Sequence, residues 1–173
     1  FNYVWDLPNL GQRTGSPILG QVLDHWQVSG VTTFASGLPL GINYTTTDNA
    51  DITGGGDGAR VNVIGKAQLA HGERTFDRWF DPSVFRRPAQ GYFGNAPKDV
   101  FRGPGLNSSD FSIFKTFPLK SETRQLQFRW EIFNVVNYVN LDAPVTALNA
   151  ANFGQILTAG DPRIMQFALK VLF

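Results

Sequence analysis

The chain has 173 residues, no cysteine and a formal net charge of +1, which excludes disulfides, Cys-ligated zinc or iron–sulfur sites and the basic stripe that nucleic acid requires. Its 15 phenylalanines, 18 glycines and 10 prolines favour many short strands and turns over helices. No run of about 18 apolar residues could cross a bilayer as a helix, a test that strand-built membrane proteins escape because alternation keeps their mean hydropathy low.

Phe1, Tyr3 and Trp5 share one face of an opening strand over residues 1–6, since successive side chains of a strand point to opposite sides. An opening in mid-alternation, with no leader, reads as a fragment of a longer protein. Residues 8–23 hold Pro8, Pro17 and three glycines, so a connection with at most a short helical turn near its end is expected. Alternation returns at Trp26 and predicts a strand over 25–42, kinked where Gly37 and Pro39 fall. Residues 43–107 read as irregular. A structureless loop of that length argues against a compact soluble domain, whereas the open end of a barrel accommodates it.

The next strand spans 109–118, where Lys115 falls on the same face as Phe111, Ile113 and Phe117. Either a bulge near Phe114 or a lysine snorkelling to a boundary reconciles this. A turn over 118–123 leads to a strand at 124–134 with the cleanest alternation in the chain. Leu126, Phe128, Trp130 and Ile132 face one way; Gln125, Gln127, Arg129 and Glu131 face the other. A second long connection, 134–162, precedes a terminal strand at 163–173, in which Met165, Phe167, Leu169, Val171 and Phe173 oppose Gln166 and Lys170.

The expected fold is therefore all-β, an antiparallel meander of about five long strands, with 8–23 and 118–123 at one rim and the long loops 43–107 and 134–162 at the other. Short turns on one rim and long loops on the opposite rim is the arrangement of outer-membrane barrels. On that reading Gln125, Gln127, Arg129, Glu131, Gln166 and Lys170 face the lumen, while Tyr3, Trp5, Trp26 and Trp130 suit the aromatic belts at the bilayer interfaces. The alternative is a soluble β-sandwich binding or adhesion module, in which the Leu126–Ile132 row packs on a second sheet.

The order of several motifs, among them Y-V-W-D-L-P, W-Q-V-S-G-V-T-T-F, F-D-P-S-V-F, G-Y-F-G-N, F-R-G-P-G-L-N, F-R-W-E-I-F-N-V-V-N, N-F-G-Q-I and the terminal I-M-Q-F-A-L-K-V-L-F, resembles the C-terminal barrel portion of TonB-dependent outer-membrane receptors, the Oar-like group in particular. The resemblance covers essentially the whole chain. It implies a transmembrane barrel of about 22 antiparallel strands, of which this chain is a C-terminal segment, an open sheet if isolated. It also implies a plug inside the barrel, energy-coupled uptake of an unidentified ligand through the TonB complex, and a terminal assembly signal read by the barrel-insertion machinery. That signal matches Met165, Phe167, Leu169, Val171 and Phe173. Outer-membrane lipid, the rest of the barrel and its plug are the implied partners.

The remaining candidates have plainer readings. Gly58–Ala67 suggests a phosphate loop, but its Gly-to-Gly-Lys spacing is too long and Ala67 stands where Ser or Thr must reach magnesium. Asp48, Asp51 and Asp57 with Gly54–Gly56 are a weak calcium candidate, since hard cations take carboxylate oxygens; the same residues make ordinary exposed turns. His25 and His71 lack triad or metal partners in the pattern. No acid/base pair or nucleophile supports an enzyme, and no cofactor is expected.

Overall fold

The computed structural model describes residues 1–44, 60–89, 91–119 and 121–173. In chain order its strands are β1 (Asn2–Asp6), β2 (Trp26–Ala35), β3 (Pro39–Leu40), β4 (Asn62–Val63), β5 (Phe85–Arg86), β6 (Phe101–Arg102), β7 (Leu106–Leu119), β8 (Ser121–Phe133) and β9 (Ile164–Leu172), with one α-helix, α1 (Pro17–Leu23), between β1 and β2. The five long strands form one antiparallel sheet in the order β1-β2-β7-β8-β9. This is the expected meander. Among the described residues β1 and β9 are its two outer strands, each with a neighbour on one side only.

The registers fix the two rims. Gln125 stands opposite both Pro118 and Leu172, and Asp6 stands opposite Gln27, so the 7–25 connection and the turn after Leu119 share a rim. At the opposite rim Phe133 pairs with Ile164, and the chain there leaves for its two long excursions, 36–105 and 134–163. Two asparagines shape the second exit. Asn134 and Asn137 adopt φ of 50° and 55°, a left-handed conformation that Asn tolerates better than most residues. Buried Asn134 accepts from Tyr138 N at 2.9 Å and donates through Nδ2 to Tyr138 O and Asp161 O. The Asn137 carboxamide oxygen accepts from Arg163 N at 2.9 Å, just before β9 begins.

The chain divides into two compact units. One is the sheet, from Phe1–Phe34, Asn107–Val139 and Asp161–Phe173; the other is made of Ala35–Leu106 and Asn140–Gly160, the two long excursions together. This corrects the expectation of irregular loops, because the second unit holds a packed core of Ile42, Tyr44, Val61, Phe80, Phe85 and Phe101 with two alanines. Phe80, fully buried, meets Phe85 edge-on at 5.6 Å, Phe101 at 4.3 Å and Phe153 at 5.1 Å between ring centroids.

Three motifs, F-D-P-S-V-F, F-R-G-P-G and N-F-G-Q, thus converge on one aromatic cluster. Trp79 ties them further, donating its backbone N–H to Gly154 O at 3.0 Å and its indole Nε1–H to Arg102 O at 2.9 Å. Alternation cannot reveal such a core, since its residues come from turns and two-residue ladders rather than from strands with a period. The predicted strand over 25–42 is likewise corrected. β2 stops at Ala35, and Pro39–Leu40 pairs instead with Phe101–Arg102 in a ladder of its own. The physical reason is local: Gly37 packs so tightly on the Gly103 carbonyl that no Cβ fits, which turns the chain out of the sheet.

Candidate functional site: the two faces of the sheet

Registers sort the strand residues into rows. On one face Phe111, Ile132 and Met165 align, then Ile113, Trp130 and Phe167, then Lys115, Phe128 and Leu169, then Phe117, Leu126 and Val171. Tyr3 opposite Gly30 and Trp5 opposite Val28 extend the pattern on β1 and β2. The Lys115 ammonium, 5.5 Å over the Trp26 ring, shows that Trp26 projects from this face as well. The rings are stacked in part, with Trp130 on Phe167 at 5.7 Å and 16°, and Phe128 near Phe167 at 6.1 Å. Such pairs contribute about 0.5–1.5 kcal/mol beyond their buried area.

Among the described residues no second sheet covers this face. Phe167 and Leu169 are 66% and 69% exposed, and the sandwich alternative requires them packed. A contiguous apolar surface of this kind is rare on a soluble monomer. The sheet's three tryptophans sit at two levels along the strands: Trp5 and Trp26 near the turn rim, and Trp130 toward the rim where Phe133 meets Ile164.

Lys115 is the polar exception on the apolar face. The register runs unbroken through Phe114 and shifts only between Pro118 and Leu119, so no bulge rotates the lysine away. Instead its side chain is buried at 1% exposure and its ammonium donates to the main-chain carbonyl of Asp24, the C-cap of α1. Trp26 and Phe117 flank it, with the ammonium 5.1 Å over the Phe117 ring. A cation at a helix C-terminus satisfies a carbonyl that the helix leaves open. The lysine thereby fastens the 7–25 connection to the sheet. Asp24, also buried, reinforces that connection by accepting from Gly11 N at 2.6 Å.

The opposite face is polar. Its rows are Ser112, Glu131 and Gln166; Phe114, Arg129 and Ala168; Thr116, Gln127 and Lys170; and Pro118, Gln125 and Leu172. All six residues anticipated for this face therefore lie on it together. Gln166 donates to Glu131 at 2.6 Å across the strands, and the Arg129 guanidinium stacks on Phe114 at 4.8 Å in a cation–π contact. Toward the turn rim a cavity of about 380 Å³ is lined by Asp6, Asn9, Gln27, Phe114, Thr116 and Gln127 among others. Three of its polar side chains are engaged: Gln27 donates to Asp6 at 2.7 Å, and Asn9 accepts from His25 N at 3.0 Å.

The two histidines have structural surroundings. His25, at φ 59°, turns the chain into β2, accepting from Thr116 N and donating its backbone N–H to Asn9. His71 lies exposed in a single 3-10 turn. Among the described residues no group of three or more His, Asp or Glu could hold a metal. Asp48, Asp51 and Asp57 lie outside the described residues.

An open five-stranded antiparallel sheet, apolar and aromatic on one side and polar on the other, has long connections at one rim only. A family model for an outer membrane beta barrel domain matches residues 1–166. The chain belongs to that family. The barrel domain resides in the outer membrane, where every backbone polar group must be paired within the protein and only closed sheets or helices span. No curated protein and no solved structure matches the chain. The alternation of the barrel domain's strands is the one that such barrels require, with lipid and lumen taking turns along each strand.

Proposed function

We propose that this barrel domain is the C-terminal part of a TonB-dependent outer-membrane receptor of the Oar-like kind, working in energy-coupled uptake and carrying no enzymatic chemistry. The observation that carries the reading is the division of labour between the rims. One rim closes in short connections, while the excursions from the other build a packed unit around Phe80, Phe101 and Phe153. A folded unit of that size on long outer loops suits ligand capture, because loops positioned by a rigid scaffold hold binding groups. The motif order of the chain adds the TonB-dependent assignment.

In this reading the row of Leu126, Phe128, Trp130 and Ile132 meets lipid, Tyr3, Trp5, Trp26 and Trp130 stand at the two bilayer interfaces, and Gln125, Gln127, Arg129, Glu131, Gln166 and Lys170 face a plug within the lumen. Five strands cannot close a barrel of this type, so β1 and β9 pair with further strands of the same barrel. Met165, Phe167, Leu169, Val171 and Phe173 serve the insertion machinery during assembly and lipid contact afterwards.

The test is a photocrosslinker at Gln127 in the protein as isolated outer membranes hold it. Capture of a segment encoded upstream of Phe1 is expected, and that segment should carry a plug and a TonB-contacting motif. Capture of lipid alone, or an upstream reading frame without a plug, refutes the assignment.

A further inference from the structure

We propose that α1 is a membrane-interface anchor, its apolar stripe seated in the lipid leaflet at the turn rim beside the sheet. The inference rests on the apolar face meeting lipid, as read above. The helix buries none of its residues, and Ile18, Leu19, Val22 and Leu23 are 74%, 43%, 56% and 40% exposed. With 3.6 residues per turn, Ile18 and Val22 fall directly opposite Gly20. Gly20 is the inward side: it packs against Gly11 so closely that a Cβ on Gly11 would strike the Gly20 backbone. The glycine side thus faces the protein and the branched side faces out. From Thr14 to Leu23 the chain carries no charge.

Which side of the sheet the helix keeps to follows from its attachments. The Trp26 indole donates to Val22 O at 2.8 Å, and the Lys115 ammonium donates to Asp24 O. Both side chains belong to the apolar face, Lys115 by its register with Phe128 and Leu169 and Trp26 by lying beneath the Lys115 ammonium. The C-terminal end of α1 is therefore tied to the side that meets lipid, and its stripe continues that surface beyond the strand ends. A seven-residue helix is too short to persist in water on its own account, and here packing of the glycine side and two side-chain bonds to its last carbonyls hold it. An apolar stripe flanked by a tryptophan, with exposed Arg13 in the preceding turn available to lipid phosphate, is the make-up of a helix that lies in the interface. The bilayer is the occupant to which this continuity points.

These 173 residues contain no cysteine, so Ile18→Cys or Val22→Cys places a nitroxide at one position among them. In isolated outer membranes, collision of these nitroxides with oxygen, which concentrates in hydrocarbon, is expected to exceed collision with a water-soluble nickel chelate several-fold relative to a label on Gln127→Cys, and to match a label on Leu169→Cys. Water-like behaviour at Ile18 and Val22 with lipid-like behaviour at Leu169 overturns the anchor alone. If Leu169 is water-like too, the underlying lipid-face reading falls with it. Labels at Ile18 and Val22 shielded from both reagents mark a protein partner on the helix and also overturn the proposal.

Discussion

The sheet and the loop unit spend the same aromatic-rich composition in opposite directions. In the loop unit the rings turn inward, and every residue of the buried apolar cluster belongs to it. In the sheet they turn outward: among the described residues Ile132 is the one apolar side chain of that unit counted as buried, while Phe34, Phe167 and Leu169 are each more than 60% exposed. On the function proposed above, one unit answers to water and the other to lipid. A helix-poor chain with 42% hydrophobic residues thus says nothing by its composition alone about where its core lies. What separates the two regions is the partner of the apolar surface, since burial against protein and burial against hydrocarbon remove the same area from water.

That contrast can be broken most forcefully at Phe80. Phe80→Ala removes the ring on which Phe85, Phe101 and Phe153 converge and is expected to cost the loop unit about 3–5 kcal/mol. Limited proteolysis of intact outer membranes should then cut within residues 60–105 and 140–160 while β7–β9 stay protected. Simultaneous loss of the sheet would show that the two units are not separately stabilised.

In the sheet the corresponding change is Leu169→Arg, midway along β9 and opposite Phe128. An arginine on the lipid face near the bilayer midplane costs about 2–4 kcal/mol, whereas Gln127→Arg on the other face is expected to be close to neutral. Denaturant midpoints of the protein folded in lipid vesicles measure both. Equal effects at the two positions would contradict the assignment of faces.

The smallest effect concerns pH and confines itself to the loop unit. Asp81 accepts from the Ser83 hydroxyl at 2.8 Å and from Ser83 N at 3.1 Å, and lies 3.2 Å from Arg78. The Ser83 bonds above all, with a smaller contribution from Arg78, hold its carboxyl below the usual aspartate value. A lowered carboxyl in the folded state contributes stability that is fully present above the unfolded pKa of about 3.9. The contribution is lost as pH falls through the lower folded value. Between pH 7 and pH 5 proteolytic resistance around Pro82–Val84 should therefore be flat, and below pH 4 it should fall in the native protein but not in Asp81→Asn. A decline already at pH 6 would point to another group.

Much of the sheet was legible because its signal is periodic. Leu126, Phe128, Trp130 and Ile132 against Gln125, Gln127, Arg129 and Glu131 fix two faces without any tertiary information, and Met165 to Val171 repeats the pattern. Lys115 was legible as an anomaly but not as a solution. Its partner, the Asp24 carbonyl, lies 91 residues earlier, and no local rule connects a lysine in one strand to the end of a helix in another connection. The loop core was hidden for a related reason. Phe80, Phe85, Phe101 and Phe153 sit in motifs dense in Asp, Pro and Gly, which announce turns, and a turn motif does not disclose that its aromatic flank is buried.

By itself the sequence determined the number and facing of the long strands, the rims at which they connect and, through the order of its motifs, the kind of barrel it resembles. These follow from a period of two and from chain direction, both local properties. Only the tertiary structure decided that the long excursions share one aromatic core, that Pro39–Leu40 leaves the sheet for Phe101–Arg102, and that Lys115 closes the end of α1 beneath an apolar helix stripe. Each depends on residues far apart in the chain meeting in space, where packing and the pairing of backbone groups, rather than periodicity, select the arrangement.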